Sequence, residues 1–178
     1  LLGPNLTRLP EAAQARRQVA ITFDDGPHPE HTPRVLDMLD AAGARASFFC
    51  IGDRVHAHPD LARQIVARGH AVENHTAHHP WSFSLMGPGG MAREVAHAQD
   101  TIGQATGRTP RFFRAVAGLR NPFLDPVLHR QGLMLAHWTR RGYDTNTADP
   151  DVVLQRLVQG LAAGDILLLH DGHSARSP

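Results

Sequence analysis

The chain has 178 residues, enough for one compact domain over 1–178 with a sizeable core and too few for two ordinary ones. Lys plus Arg total 18 against 17 for Asp plus Glu, with no basic run, which argues against a nucleic-acid partner. The single cysteine, Cys50, excludes an internal disulfide framework or a thiolate cluster, and no stretch of some 18 apolar residues exists to span a membrane. The first residue is Leu1, so a signal peptide or an anchor upstream stays open.

From the N-terminus, short apolar runs alternate with longer amphipathic ones. Residues 19–23 predict a first strand and 32–42 a helix; 46–51, with Cys50 as a small buried apolar residue, predict a second strand and 59–68 a helix. A third strand is expected over 71–73, then an irregular Gly-, Ser- and Pro-rich loop over 81–90 and a helix over 90–106. The strand 111–113, the helix 122–131, the strand 133–138, the helix 151–163 and the strand 165–169 complete the pattern. Gly43, Gly69, Gly107, Gly132 and Gly164 each follow a helical segment, where a left-handed residue ends a helix. Six strands alternating with five crossover helices predict an α/β fold with a parallel sheet, and the pattern leaves open whether that sheet closes into a barrel.

In either architecture the loops that follow the strands share one rim, where ligands and catalytic groups collect. The first strand runs into Asp24-Asp25-Gly26-Pro27, the third into Asn74-His75 and on to His79, the fourth into Arg114. The fifth leads to a loop holding Asp144, and the sixth into His170-Asp171. Taken singly, each has a structural reading. Paired aspartates before Gly-Pro are common in turns. His75 and His79 are four apart, so one helical turn, capped by Asn74 and ended by Pro80, would set their Cβ atoms about 5 to 6 Å apart. Alone they are equally a metal pair or two surface residues, with His78 a competing neighbour of His75. Arg114 and Asp144 alone read as surface ion-pair residues, and Trp138 as core or pocket wall. His28, His31, His56, His58, His97, His129 and His173 read as solvent-facing. His170 differs from these, because it emerges from the apolar run Ile166-Leu167-Leu168-Leu169.

Gathered on one rim, these residue types suit hydrolysis. Two imidazoles and a carboxylate leave open positions on a divalent ion, the mark of a catalytic rather than a structural site. An ion so held lowers the pKa of its water to about 7. Of two adjacent aspartates, one can ligate while the other accepts the water's proton, an arginine beside it keeping it ionised. A histidine opposite, held protonated by an acid such as Asp144, can deliver a proton to a leaving nitrogen or oxygen.

Five segments carry a resemblance: ITFDDGP (21–27), GHAVENHTAHHP (69–80), FFRAVAG (112–118), WTRRGYD (138–144) and ILLLHD (166–171). In order, they resemble the motifs of the polysaccharide deacetylases of carbohydrate esterase family 4, which carry the NodB homology domain. The resemblance implies a distorted (β/α) barrel of about seven strands, with a last strand and helix missing from this chain. It implies Asp24 as general base, Asp25, His75 and His79 as ligands of a divalent metal, zinc in most members and cobalt or another ion in some, and His170 as general acid. Arg114 would hold Asp24, Asp144 would tune His170, the backbone N–H of Ala117 would meet the oxyanion, and Leu168 would line the pocket for the acetyl methyl. His78 becomes a bystander. The implied substrate is an N-acetylated glycan such as chitin, chitooligosaccharide or peptidoglycan, and the implied location is the cell envelope or the exterior.

Two departures from the family pattern stand out. The third motif usually reads Arg-Pro-Pro-Tyr-Gly, whereas here Arg114-Ala115-Val116-Ala117-Gly118 leaves no aromatic at its fourth position. Thr145 stands where a tryptophan is usual. Both changes predict a groove with fewer aromatic walls. The rival readings are an O-acetyl esterase acting on acetylated xylan with the same machinery, a catalytically silent glycan-binding relative, and a non-haem iron oxygenase, since two histidines and a carboxylate also suit that ion.

Overall fold

Every hydrogen-bonded strand pair is parallel, so each strand delivers its carboxyl end to the same side of the sheet. The computed structural model describes residues 5–147 and 149–172; His173, expected at the surface, lies outside them. In chain order the strands are β1 (Asn5–Leu6), β2 (Ala20–Asp24), β3 (Ala46–Cys50), β4 (Ala71–Asn74), β5 (Phe112–Phe113), β6 (Met134–Ala136), β7 (Arg140–Arg141) and β8 (Ile166–His170). The helices are α1 (Glu11–Ala15), α2 (His31–Ala41), α3 (Gly52–Ala57), α4 (Pro59–Ala67), α5 (Pro88–Thr106), α6 (Leu124–Arg130) and α7 (Pro150–Val158). The spatial order β1-β6-β5-β4-β3-β2-β8-β7 makes one curled sheet with β1 and β7 at its two edges, a distorted (β/α) barrel.

All six predicted strands form, with ends displaced by one or two residues. Two more strands, β1 and β7, and two more helices, α1 and α3, were not expected, because a two-residue pairing or a helix of five or six residues is too short to carry a periodic pattern. The helix expected over 151–163 stops at Val158, where Gly160 at φ +67° takes the left-handed position. Gly164 instead sits in the turn that enters β8, where a Cβ would meet Gln14 Cγ at 2.6 Å. The stretch 81–90 is less irregular than expected: Phe83–Leu85 make a 3-10 turn around the fully buried Phe83, and α5 already starts at Pro88. Pro88 fits there because the first turn of a helix leaves its N–H unused.

Strand alternation divides the sheet chemically. Phe23 and Phe48 point to the helical layer, their rings stacked 5.1 Å apart in a cluster with Leu36, Ile65 and Ile102. A second cluster around Phe83, Met91, Phe113 and Leu128 packs α5 and α6 against β5 and β6. Thr22 and Asp24, one residue out of phase with Phe23, point to the other face, as do Leu168 and His170 on the adjoining β8. Register pairs Asp24 with His170 and Thr22 with Leu168 across that seam. The buried Cys50 has its thiol pKa pushed well up by burial, in keeping with an inert core residue.

Because Phe48 is wholly buried on the strand next to the one that carries Asp24, Phe48→Ala should cost about 3–5 kcal/mol of stability in urea unfolding.

Candidate active site

One cavity of about 350 Å³ opens at the carboxyl ends of the strands and is lined by Asp24, Asp25, His75, His79, Ala117, Leu168 and His170. A larger hollow of about 590 Å³ between α6 and β6 contains none of them. Arg114 and Asp144 stand behind the wall, each gripping a residue that faces inward. All nine residues singled out from the sequence are therefore gathered at one place.

Arg114 is fully buried and joins both halves of the site. Its Nη1 donates to Asp24 Oδ1 at 2.6 Å and to Thr22 Oγ1 at 2.8 Å, and its Nη2 donates to the His137 carbonyl at 2.9 Å. The guanidinium lies 3.9 Å from the centre of the Phe49 ring, which faces this side of the sheet as Phe48 faces the other. The carbonyl of the same residue is 2.8 Å from His75 Nδ1. A carbonyl only accepts, so Nδ1 carries a proton and Nε2 is the ring nitrogen that turns to the ligand position.

That nitrogen faces Asp25 Oδ1 at 3.3 Å, and His79 Nε2 approaches the same oxygen at 3.3 Å. One atom from each of the three residues falls within 4.8 Å of the others, a spacing that admits one cation between them. Two of the three donors already have the protonation a cation needs, and His75 does not. Burial lowers the His75 pKa, but the Asp24 charge, the Asp25 hydrogen bond and charge and the Arg114 carbonyl raise it overall, so an arriving cation would displace its Nε2 proton. Burial and the neighbouring His75 lower the His79 pKa to about 4, leaving a neutral imidazole. Burial alone would raise Asp25, but the His75 hydrogen bond and the charges around it hold the carboxyl well below the usual range. A neutral imidazole and an ionised carboxylate are what a divalent ion requires. Asp24 is farther out, its Oδ2 3.9 Å from His75 Nε2, and its other oxygen belongs to Arg114.

The His75–His79 segment is not a helical turn, contrary to the spacing argument. Residues 75–80 form an irregular loop in which Thr76 and His79 take φ +69° and +53°. Asn74 Oδ1 accepts from the Thr76 N–H and Thr76 Oγ1 from the His79 N–H, fixing the bends locally. Gly52 lets this loop approach, since a Cβ there would lie 3.1 Å from Ala77 Cα. Asp25 and Ala117 also have positive φ, +72° and +53°, values that cost a non-glycine residue about 1–3 kcal/mol and are held only by surrounding structure. For Asp25 that support includes Arg54, whose Nη1 donates to the Asp25 carbonyl at 2.7 Å and the Gly172 carbonyl at 2.5 Å.

On the opposite wall, Asp144 grips His170 twice: Oδ2 accepts the His170 backbone N–H at 2.7 Å and Oδ1 lies 2.9 Å from Nδ1. Burial pulls the imidazole pKa down, but this hydrogen bond and the charges of Asp144, Asp24 and Asp25 raise it overall. His170 thereby keeps a proton on the ring beyond the pH at which a free imidazole loses it.

Sequence reasoning missed several members of the site. Thr22 was legible as the residue two before Asp24 on the same strand face. Arg54, Trp81, Arg141, His137 and Asn146 carried no local signal. The expected loss of aromatic walls is offset, because Trp81 and Trp138 both line the cavity. Trp81 is 80% exposed, with its ring edge-on to His79 at 5.7 Å. Among the histidines expected to face solvent, His56, His97 and His129 do; His28, His31 and His58 are half-buried, and His28 stacks on His31 at 4.2 Å. His78 is exposed and bonded to Glu94 at 2.7 Å, a bystander.

The model of the family described as polysaccharide deacetylase matches residues 11–136. A chitooligosaccharide deacetylase of Sinorhizobium fredii is 34% identical over 168 residues, 94% of this chain and 78% of its own length. A peptidoglycan-N-acetylglucosamine deacetylase of Bacillus cereus is 32% identical over 169 residues, again 94% and 78%. In structure, a family 4 carbohydrate esterase pseudoenzyme of Bacillus anthracis superposes with a TM-score of 0.87 over 96% of this chain and 59% of its own. At 24% identity that likeness is one of fold.

One further acid borders the site. Asp171 is 1% exposed, accepts from Thr32 Oγ1 at 2.6 Å, and presses on Gly26, where a Cβ would sit 2.5 Å from its carboxylate oxygens. Burial, joined by the charges of Asp25 and Asp24, pushes its pKa up to about 7 against the Thr32 hydrogen bond. A folded-state pKa above the unfolded one means stability is fully present below the ordinary carboxyl range and is lost as pH rises toward about 7. Asp171→Asn removes that loss. With chelator present, the variant should gain on the wild type between about pH 4 and about pH 7, by a few kcal/mol at most, in urea midpoints measured along a pH series.

Proposed function

Since the chain belongs to the polysaccharide deacetylase family, carbohydrate esterase family 4 with its NodB homology domain, we propose that it removes N-acetyl groups from amino sugars of a glycan. The reaction uses a divalent ion held by Asp25, His75 and His79, with zinc the best match to two imidazoles and a carboxylate. The observation that carries this reading is the convergence of those three donors between two differently supported groups, Asp24 on Arg114 and His170 on Asp144, within one cavity. The named activities of the rhizobial and Bacillus relatives support a substrate built on N-acetylglucosamine.

When bound, the ion supplies Lewis acidity and an acidified water. Asp24 accepts a proton from the water that attacks the acetyl carbonyl, and Arg114 Nη1, itself anchored on Thr22 Oγ1, donates to Asp24 Oδ1 and aims it. The Ala117 N–H, on the cavity wall, is available to the carbonyl oxygen as negative charge develops. His170 gives its proton to the sugar nitrogen as the C–N bond breaks, which releases acetate and leaves a free amine. Leu168, on the strand that carries His170, bounds the space for the acetyl methyl.

The first test is acetate release from chitotetraose. Asp24→Asn should lower kcat by roughly 10²–10⁴-fold and chelator should abolish turnover; full activity under either condition would refute the mechanism. Sugar binding without acetate release in the metal-loaded wild type would instead mark a silent relative. The second concerns pH. His170 must be protonated to act, so kcat falls as pH rises through its raised pKa. Asp144→Asn takes away the main support of that pKa, and the alkaline limb of the kcat profile should move to lower pH, with roughly a tenfold to hundredfold loss on that limb. An unmoved limb would show that Asp144 does not tune His170.

A further inference from the structure

The two arginines of β7 have opposite fates. Arg140 is consumed: its Nε donates to Asp165 at 2.7 Å, and its other nitrogens bond the Gln159 and Gly160 carbonyls at the end of α7. Arg141, turned to the other face by strand alternation, lines the active-site cavity. Among the described residues it has no ion-pair partner, and its Nε is sealed from solvent with no hydrogen-bond acceptor. The acids nearest to this cavity are already engaged, Asp24 by Arg114, Asp25 by the two histidines and Asp144 by His170. What holds Arg141 is aromatic: its guanidinium carbon lies 4.9 Å from the Tyr143 ring centre and 5.7 Å from that of Trp138. Arg156 lies over the same Tyr143 ring at 5.6 Å, and it too has no acidic partner among the described residues.

A buried donor left unsatisfied costs about 1–3 kcal/mol, so a cationic fork kept unpaired beside a reaction centre calls for an acceptor on the ligand. We propose that Arg141 binds a carboxylate on the glycan, and that the preferred substrate is an acidic N-acetylated glycan rather than a neutral one. The inference rests on the deacetylase reading and names its substrate class. A planar guanidinium held by aromatic rings presents parallel N–H groups at the spacing of a carboxylate, and Trp81 and Trp138 line the same cavity beside it. The carboxylate has two natural sources in such polymers, a uronic acid and a lactyl ether on the neighbouring amino sugar. Both present the same group.

The experiment measures binding of three tetrasaccharides to the metal-loaded protein by calorimetry: chitotetraose, a hyaluronan tetrasaccharide for the uronic acid, and a peptide-free peptidoglycan tetrasaccharide for the lactyl ether. At least one acidic ligand should bind roughly tenfold to a hundredfold more tightly than chitotetraose. Added salt should erode that preference in the wild type, a readout that needs no variant. Arg141→Gln should collapse the acid-to-neutral ratio toward one and Arg141→Lys should restore part of it. A wild-type ratio near one for both acidic ligands, or a ratio that Arg141→Gln leaves intact, overturns the proposal. Acetate release from the same three sugars is scored separately. Acid-selective binding with no acetate from any of them would sink the deacetylase reading and leave the role of Arg141 standing.

Discussion

The site depends on one buried guanidinium. Arg114 has no exposure to solvent, so its charge is tolerable only because Asp24, Thr22, the His137 carbonyl and the face of Phe49 surround it. The same residue's carbonyl fixes the tautomer of His75, and its N–H bonds the Asn74 carbonyl on the neighbouring strand. One residue at the end of β5 thus aims the proposed base on β2 and the proposed ligand after β4. Removing it would leave a buried carboxylate uncompensated and an imidazole free to turn.

Parallel topology supplies the rest of the geometry. With β5, β4, β3, β2 and β8 side by side, Arg114, His75, Asp24 and His170 arrive along a single rim, and the Asp24–His170 register sets the proposed base and the proposed acid across one seam. The two ends of the proposed proton path are held differently. Asp24 is paired with a cation, Arg114, while His170 is paired with an anion, Asp144, which raises the imidazole pKa.

The backbone shares the work. Positive φ values at Asp25, His79 and Ala117 fall on residues that line the cavity, and nearby side chains such as Thr76 and Arg54 hold Asp25 and His79 in place. The aromatic walls show the same economy of position over type. The third motif has no aromatic at its fourth position and Thr145 replaces a usual tryptophan, yet Trp81 and Trp138 line the cavity.

Alternating apolar runs were enough to fix six strands, five helices and their parallel order, because each long enough segment has a period of its own. The strand ends then pointed to Asp24, Asp25, His75, His79, Arg114, Asp144 and His170, since in a parallel sheet the residue after a strand lies on the rim. Legibility stopped where an interaction has no sequence period. The two-residue strands β1 and β7 and the clasp of Arg54 on Asp25 come from contacts between residues far apart in the chain, while the nonhelical bend between His75 and His79 and the stranded charge of Arg141 rest on short-range contacts that follow no helix or strand period. The residue types needed for the chemistry were thus set by sequence, while the lone pairs they offer, the protons they keep and the walls around them were decided by tertiary packing. Those properties depend on burial and on partners that only the folded chain brings within hydrogen-bonding distance.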